Sequence, residues 1–162
     1  MNQKLKIVFM GTPDFAIPSL ERLHQAYDIR AVFCQPDKAN GRGNKITFGP
    51  VKEFAVNNGI DVYQPDTFKN ECCKELIKQL DPQLIVVAAY GKLLPEYVLN
   101  YPQYGCINVH GSLLPKYRGA SPIQYAVLNG EKKTGITIMK MAAGLDSGDI
   151  ISQTDTEIGE YE

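Results

Sequence analysis

A chain of 162 residues, 44% hydrophobic and 22% charged, is one domain's worth and long enough to bury a sizeable core. A formal net charge of −1 excludes a global pull toward nucleic acid, so such a partner has to be met by a local basic patch. No apolar run approaches the roughly 20 residues that span a bilayer. Residues 1–10 lack the cleavage-type tail of a signal peptide, and no membrane partner is expected. The four cysteines have no metal-like spacing, and Cys34 and Cys106 lie in apolar runs. That is the pattern of reduced thiols in a cytoplasmic protein.

Residues 5–10 (LKIVFM) read as a buried first strand, closed by Gly11-Thr12-Pro13-Asp14. Pro13 suits the first turn of the helix that follows, Thr12 or Asp14 can cap it, and Phe15, Leu20 and Leu23 form its apolar stripe. A second apolar strand covers 29–34, and the order strand, helix, strand predicts a right-handed parallel βαβ unit. Residues 36–49 (PDKANGRGNKITFG) break every pattern and form a loop. Around it Lys38, Arg42, Lys45 and Lys52 stand against Asp37 alone. A short helix over 50–58 and a short strand over 61–63 follow. Residues 67–80 form an amphipathic helix with Phe68, Cys72, Leu76 and Leu80 on one side.

Residues 84–90 (LIVVAAY) make the most hydrophobic strand, central by composition. Gly91 opens a loop, and a short helix starts at Pro95. Cys106 to His110 is a strand that runs into a loop broken by Gly111, Pro115 and Gly119. Ser121 and Pro122 start a helix that stops at Asn129-Gly130. Residues 134–141 alternate as a strand, 142–148 form a loop, and 149–157 form a last strand paired with the previous one. The fold class is α/β: a doubly wound, mostly parallel, Rossmann-like sheet with an antiparallel C-terminal strand pair.

Asn108 and His110 carry the clearest chemical signal. Two residues apart on a strand, they share one face. An amide that can donate to a developing oxyanion therefore stands beside an imidazole that titrates near neutral pH. The plainer alternative is a buried polar pair that satisfies backbone groups. Asp146, in Gly144-Leu145-Asp146-Ser147-Gly148, reads by itself as a turn residue. Folded beside the strand end, its carboxylate can orient or charge-stabilise the imidazole.

Other chemistries lack their residues. Gly11-Thr12-Pro13 has no further glycines of a dinucleotide fingerprint, and no phosphate loop is present. Ser112 lacks the flanking pattern of a nucleophile elbow. His24, the only other histidine, reads as a surface residue, and two isolated histidines do not make a metal site, so no metal is expected.

The stretch 108–120 (NVHGSLLPKYRGA) followed by 144–149 (GLDSGD) resembles the folate-dependent formyltransferase family. Residues 9–16 (FMGTPDFA) and 35–43 (QPDKANGRG) are similar to the branch that acts on aminoacyl-tRNA. Members acting on glycinamide ribonucleotide have a Gly/Asn/Ser-rich turn where this chain has Thr12-Pro13-Asp14. Members acting on sugar nucleotides usually lack the Gly-Arg-Gly loop.

The resemblance implies a catalytic domain over 1–162, cut short of the family's full catalytic domain and without its small C-terminal β-barrel. It implies formyl transfer from 10-formyltetrahydrofolate to the α-amino group of methionyl-initiator tRNA, with no covalent enzyme intermediate. Asn108 and His110 would stabilise the oxyanion and Asp146 would help move the amine's proton. The folate would lie against Ser112, Leu113, Leu114 and Pro115, and near Tyr90 and Gly91. Arg42 and Lys45 would meet the tRNA, Phe15 would help wall the methionine side chain, and the family's usual state is a monomer. A sugar-nucleotide amine as acceptor, or a folate- or tRNA-binding module without catalysis, remains open from sequence.

Overall fold

A computed structural model describes residues 3–40 and 45–161. The chain divides into two compact units, residues 1–106 and 107–162.

In the first unit β1 (Lys6–Gly11) leads through a 3-10 turn (Asp14–Ala16) into α1 (Ile17–Ala26) and β2 (Asp28–Phe33). The two-residue strands β3 (Ala39–Asn40) and β4 (Lys45–Ile46) follow, then α2 (Pro50–Asn57), β5 (Val62–Tyr63), α3 (Glu71–Leu80), β6 (Leu84–Ala88) and α4 (Glu96–Asn100). The strand order β5-β2-β1-β6 is parallel throughout. Ile7, Val8, Phe9 and Met10 are all fully buried, which is why this strand reads as an unbroken apolar run rather than an alternation. Each such side chain contributes roughly 1.5–3 kcal/mol by leaving water.

Three expectations shift. Neither Thr12 nor Asp14 caps α1: its N-cap residue Ala16 makes no side-chain cap bond, and Pro18 occupies the first turn. The Thr12 hydroxyl instead accepts the Gln35 N–H at 3.1 Å. The third helix starts at Glu71 rather than Thr67, because Asn70 accepts the Cys73 N–H at 3.0 Å and Thr67 accepts the Lys69 N–H at 3.1 Å. These local bonds compete with helix before the cap and favour it after. The buried stripe is accordingly Cys73, Ile77 and Leu80, with Cys72 exposed and Leu76 half-buried. Phe68 remains buried outside the helix, its ring 5.9 Å from Phe33 and 6.1 Å from Tyr90.

The third shift concerns 36–49, where β3 and β4 pair antiparallel with Ala39 opposite Ile46 and Asn40 opposite Lys45. The segment is rooted by a polar network. Lys52 pairs with Asp37 and donates to Gln64 Oε1 at 2.9 Å, and its Nζ lies 4.0 Å from the centre of the Phe48 ring. Gln64 in turn donates to Gln35 O and to Asp37 Oδ1, each at 3.0 Å. Gln35 then donates to Tyr90 O at 3.0 Å. Through Thr12, Gln35 and Tyr90 the segments that follow β1, β2 and β6 are tied together at the carboxyl ends of three parallel strands. That is the end where open α/β sheets place their ligands.

The second unit contains β7 (Cys106–His110) from Ile107 onward, α5 (Pro122–Leu128), β8 (Lys133–Lys140) and β9 (Ile150–Glu157). Its strands run antiparallel, with His110 opposite Thr137 and Asn108 opposite Met139, and β9 pairs along the length of β8. In β8 Gly135, Thr137 and Met139 turn inward, alternating with less buried neighbours. The Thr137 hydroxyl donates to Ser112 O at 2.7 Å. It accepts the Leu114 N–H at 3.1 Å and Gln153 Nε2 at 2.9 Å. A threonine inside an otherwise apolar row therefore clamps the 112–114 segment to the sheet.

Candidate active site

Asn108 and His110 lie on β7, as their spacing requires, with Asn108 half-buried and His110 6% exposed. The loop between β8 and β9 brings Asp146 to them. Its course demands a glycine: a Cβ on Gly148 would fall 1.7 Å from the Lys140 carbonyl oxygen. Asp146 itself takes a left-handed conformation (φ +45°), which Asp adopts more readily than most side chains.

The Asp146 carboxylate is the hub. Asn108 Nδ2 donates to Oδ1 at 3.5 Å, the long end of a hydrogen bond, and the Gly119 N–H donates to Oδ2 at 2.7 Å. Arg118 Nε donates to the Asp146 carbonyl oxygen at 3.2 Å. Oδ2 also lies 3.8 Å from His110 Nδ1, close enough to act on an imidazolium but too far for a direct hydrogen bond. The other ring nitrogen, Nε2, lies 2.8 Å from the Tyr117 carbonyl oxygen. Side chains of His110 and Asp146 are only 7% and 12% exposed, so little water dilutes these interactions. An amide donor, an imidazole and a carboxylate thus converge from two segments 38 residues apart.

Gly119, Arg118 and Tyr117 had no role from sequence reading. Two of the three contribute backbone groups, and no side-chain type announces a backbone role. The available signal was Gly119, a turn-forming residue after the strand; in the structure both Gly119 and Tyr117 have positive φ (+88° and +57°).

In the stretch 112–115, Ser112 is fully buried and donates its hydroxyl to Lys116 O at 2.6 Å, and Leu114 is buried. The surface that this stretch offers comes from Leu113, half-buried, and Pro115, exposed. In the first unit the Tyr90 ring is 2% exposed and its hydroxyl has no hydrogen-bond partner among the described residues. Burial raises its pKa far above the ordinary phenol range. Gly91 is exposed with φ +79°, and Phe15 is half-buried after the first strand. Lys45 is exposed on β4, whereas Arg42 lies outside the described residues. His24, expected on the surface, is half-buried with its ring edge-on to Phe54 at 5.9 Å.

Among the described residues no group of three or more His, Cys, Asp or Glu could hold a metal ion, and no helix is long and apolar enough to cross a membrane. The cysteines are free, with Cys34, Cys73 and Cys106 buried and Cys72 exposed.

An α/β sheet with a histidine, a side-chain amide and a carboxylate gathered at a strand end is an arrangement suited to acyl transfer without a protein nucleophile. The chain belongs to the formyl transferase family, whose sequence model matches residues 5–162. It is 58% identical over 159 residues to the methionyl-tRNA formyltransferase of Caldanaerobacter subterraneus subsp. tengcongensis, covering 96% of this chain and 51% of that protein. It is 56% identical over 157 residues to the methionyl-tRNA formyltransferase of Acetivibrio thermocellus, covering 96% of this chain and 50% of that one. The chain spans about half the length of the curated relatives it matches. Among solved structures, phosphoribosylglycinamide formyltransferase from Streptococcus pneumoniae superposes with a TM-score of 0.76 at 22% identity, covering 99% of this chain and 86% of that chain. A formyltetrahydrofolate deformylase from Pseudomonas syringae superposes with a TM-score of 0.76 at 25% identity, covering 99% of this chain and 53% of that one. The fold is therefore the α/β formyltransferase fold expected from the sequence.

Proposed function

We infer that the protein transfers a formyl group from 10-formyltetrahydrofolate to the α-amino group of methionyl-initiator tRNA. The observation that carries this reading is the convergence of Asn108, His110 and Asp146, in a chain whose relatives are named for that reaction. The amine nitrogen bonds to the formyl carbon, and the carbonyl electron pair moves onto oxygen. Asn108 Nδ2 and a protonated His110 Nδ1 donate to that oxygen, each such donor being worth about 3 kcal/mol in comparable acyl transfers. Asp146 faces the positive imidazolium and relays the amine's proton, directly or through water. The proton reaches the folate N10 as its bond to the formyl carbon breaks, so the two products are the formylamide and the free secondary amine.

In this reading Leu113 and Pro115 give the folate an apolar wall, and Ser112 and Leu114 hold the backbone behind it. Tyr90 and Gly91 are the first unit's candidates for folate contact, Gly91 through its exposed backbone. Arg42 and Lys45 meet tRNA phosphates, an interaction that weakens as salt rises. The protein works as a monomer in the cytoplasm.

The test offers the intact gene product labelled 10-formyltetrahydrofolate with either methionyl-initiator tRNA or a sugar-nucleotide amine. Label on the methionine amine supports the reading. Label only on the sugar amine, or folate binding without transfer to either, would overturn it.

A further inference from the structure

His110 is held from the side that the proposed reaction does not use. Its Nε2 lies 2.8 Å from the Tyr117 carbonyl oxygen, and a carbonyl can only accept, so Nε2 carries a proton. Proton exchange is left to Nδ1, the nitrogen that faces Asp146 Oδ2 at 3.8 Å.

The carbonyl aims at His110 because of two features of Tyr117. Its backbone sits at φ +57°, a region that bulky residues rarely enter, with its carbonyl oxygen 2.8 Å from His110 Nε2. Its side chain is then clamped at the far end. The Tyr117 hydroxyl donates to Glu131 Oε1 at 2.9 Å and accepts from Asn129 Nδ2 at 3.0 Å. Glu131 also accepts from Lys116 Nζ at 3.0 Å, and Lys116 followed by Tyr117 holds its carboxyl below the usual range, so it stays an acceptor. One residue earlier, Ser112 Oγ donates to the Lys116 carbonyl at 2.6 Å. The strained peptide is therefore pinned on both sides.

We propose that Tyr117 is a positioning residue. Its carbonyl fixes His110 as the Nε2–H tautomer, and its clamped hydroxyl keeps that carbonyl in place, so of the two ring nitrogens Nδ1 is the one left to donate to the oxyanion and to face Asp146. The proposal rests on the catalytic reading of His110, but the tautomer can be read without any turnover.

The chain has only two histidines, His24 and His110, so long-range 1H–15N NMR of the ring nitrogens resolves both, with His24 as the internal reference. At a pH where both rings are neutral, His110 of the wild-type protein is expected to show the Nε2–H pattern alone. In Tyr117→Phe and in Glu131→Gln a second, Nδ1–H population is expected to appear. In the same variants kcat is expected to fall on the order of tenfold, with KM for both substrates within about twofold, since positioning rather than binding is lost. Glu131→Gln keeps the tyrosine and reports even where Tyr117→Phe does not fold. A wild-type His110 carrying its proton on Nδ1 would overturn the proposal. So would wild-type tautomer and kcat in both variants. A protein that holds the tautomer as described but transfers no formyl group refutes the catalytic reading and leaves the positioning intact.

Discussion

The backbone N–H of Gly119 donates to Asp146 Oδ2 at 2.7 Å, the same oxygen that lies 3.8 Å from His110 Nδ1. One lone pair of the carboxylate is thus occupied by a fixed backbone donor while its charge still faces the imidazole. Asp146→Asn separates the two roles, because an amide oxygen can still accept from Gly119 but carries no charge. Turnover of the intact gene product should fall by about 10²-fold or more, while its melting temperature stays within a few degrees of wild type. Unchanged turnover would remove the carboxylate charge from the mechanism.

Thr137 offers a test of what holds the 112–114 segment. Thr137→Val keeps the volume, leaves the Leu114 N–H without its acceptor and removes one of the two Gln153 Nε2 bonds, the one to Leu114 O remaining. A buried group left unsatisfied costs about 1–3 kcal/mol, readable as an earlier urea midpoint with unchanged slope. A midpoint at the wild-type value would mean that solvent reaches these groups.

The amide of Asn70 marks the true start of α3. Asn70→Ala removes the cap on the Cys73 N–H and should cost about 1 kcal/mol, with the loss recovered by Asp or Ser at the same position. A loss not recovered by either would point to a role other than capping.

The buried thiols set an alkaline limit. Burial pushes Cys34 up to about 11, against a partial offset from Lys52, and pushes Cys106 up to about 12. The folded state therefore holds these protons more tightly than the unfolded chain, whose thiols ionise near the ordinary value of 9.0. Their contribution is complete below that value and is lost as pH rises through the folded values. Stability should decline between about pH 9 and pH 12, and alkylation of the native protein at pH 8 should mark Cys72 alone. Rapid labelling of Cys34 or Cys106 without unfolding would contradict their burial.

Much of this was legible from residue pattern. The run Ile7–Met10 declared a strand buried on both faces, and the spacing of Asn108 and His110 placed them on one face of β7. What was hidden had a common cause in backbone and local polar competition. The late start of α3 was decided by Asn70 and Thr67 hydrogen-bonding their own neighbours, which an apolar periodicity does not register. The anchors of Asp146 and His110 are the N–H of Gly119 and the carbonyl of Tyr117, groups every residue has. The Lys52–Asp37 pair was hidden differently, because sequence counts charges without showing which are already matched.

The most direct test is single-turnover formylation of methionyl-initiator tRNA by the intact gene product beside its His110→Ala variant, with tRNA binding followed in parallel. Transfer by the variant is expected to fall by about 10²-fold or more with tRNA affinity unchanged. Transfer at the wild-type rate in the variant would contradict the catalytic reading of His110.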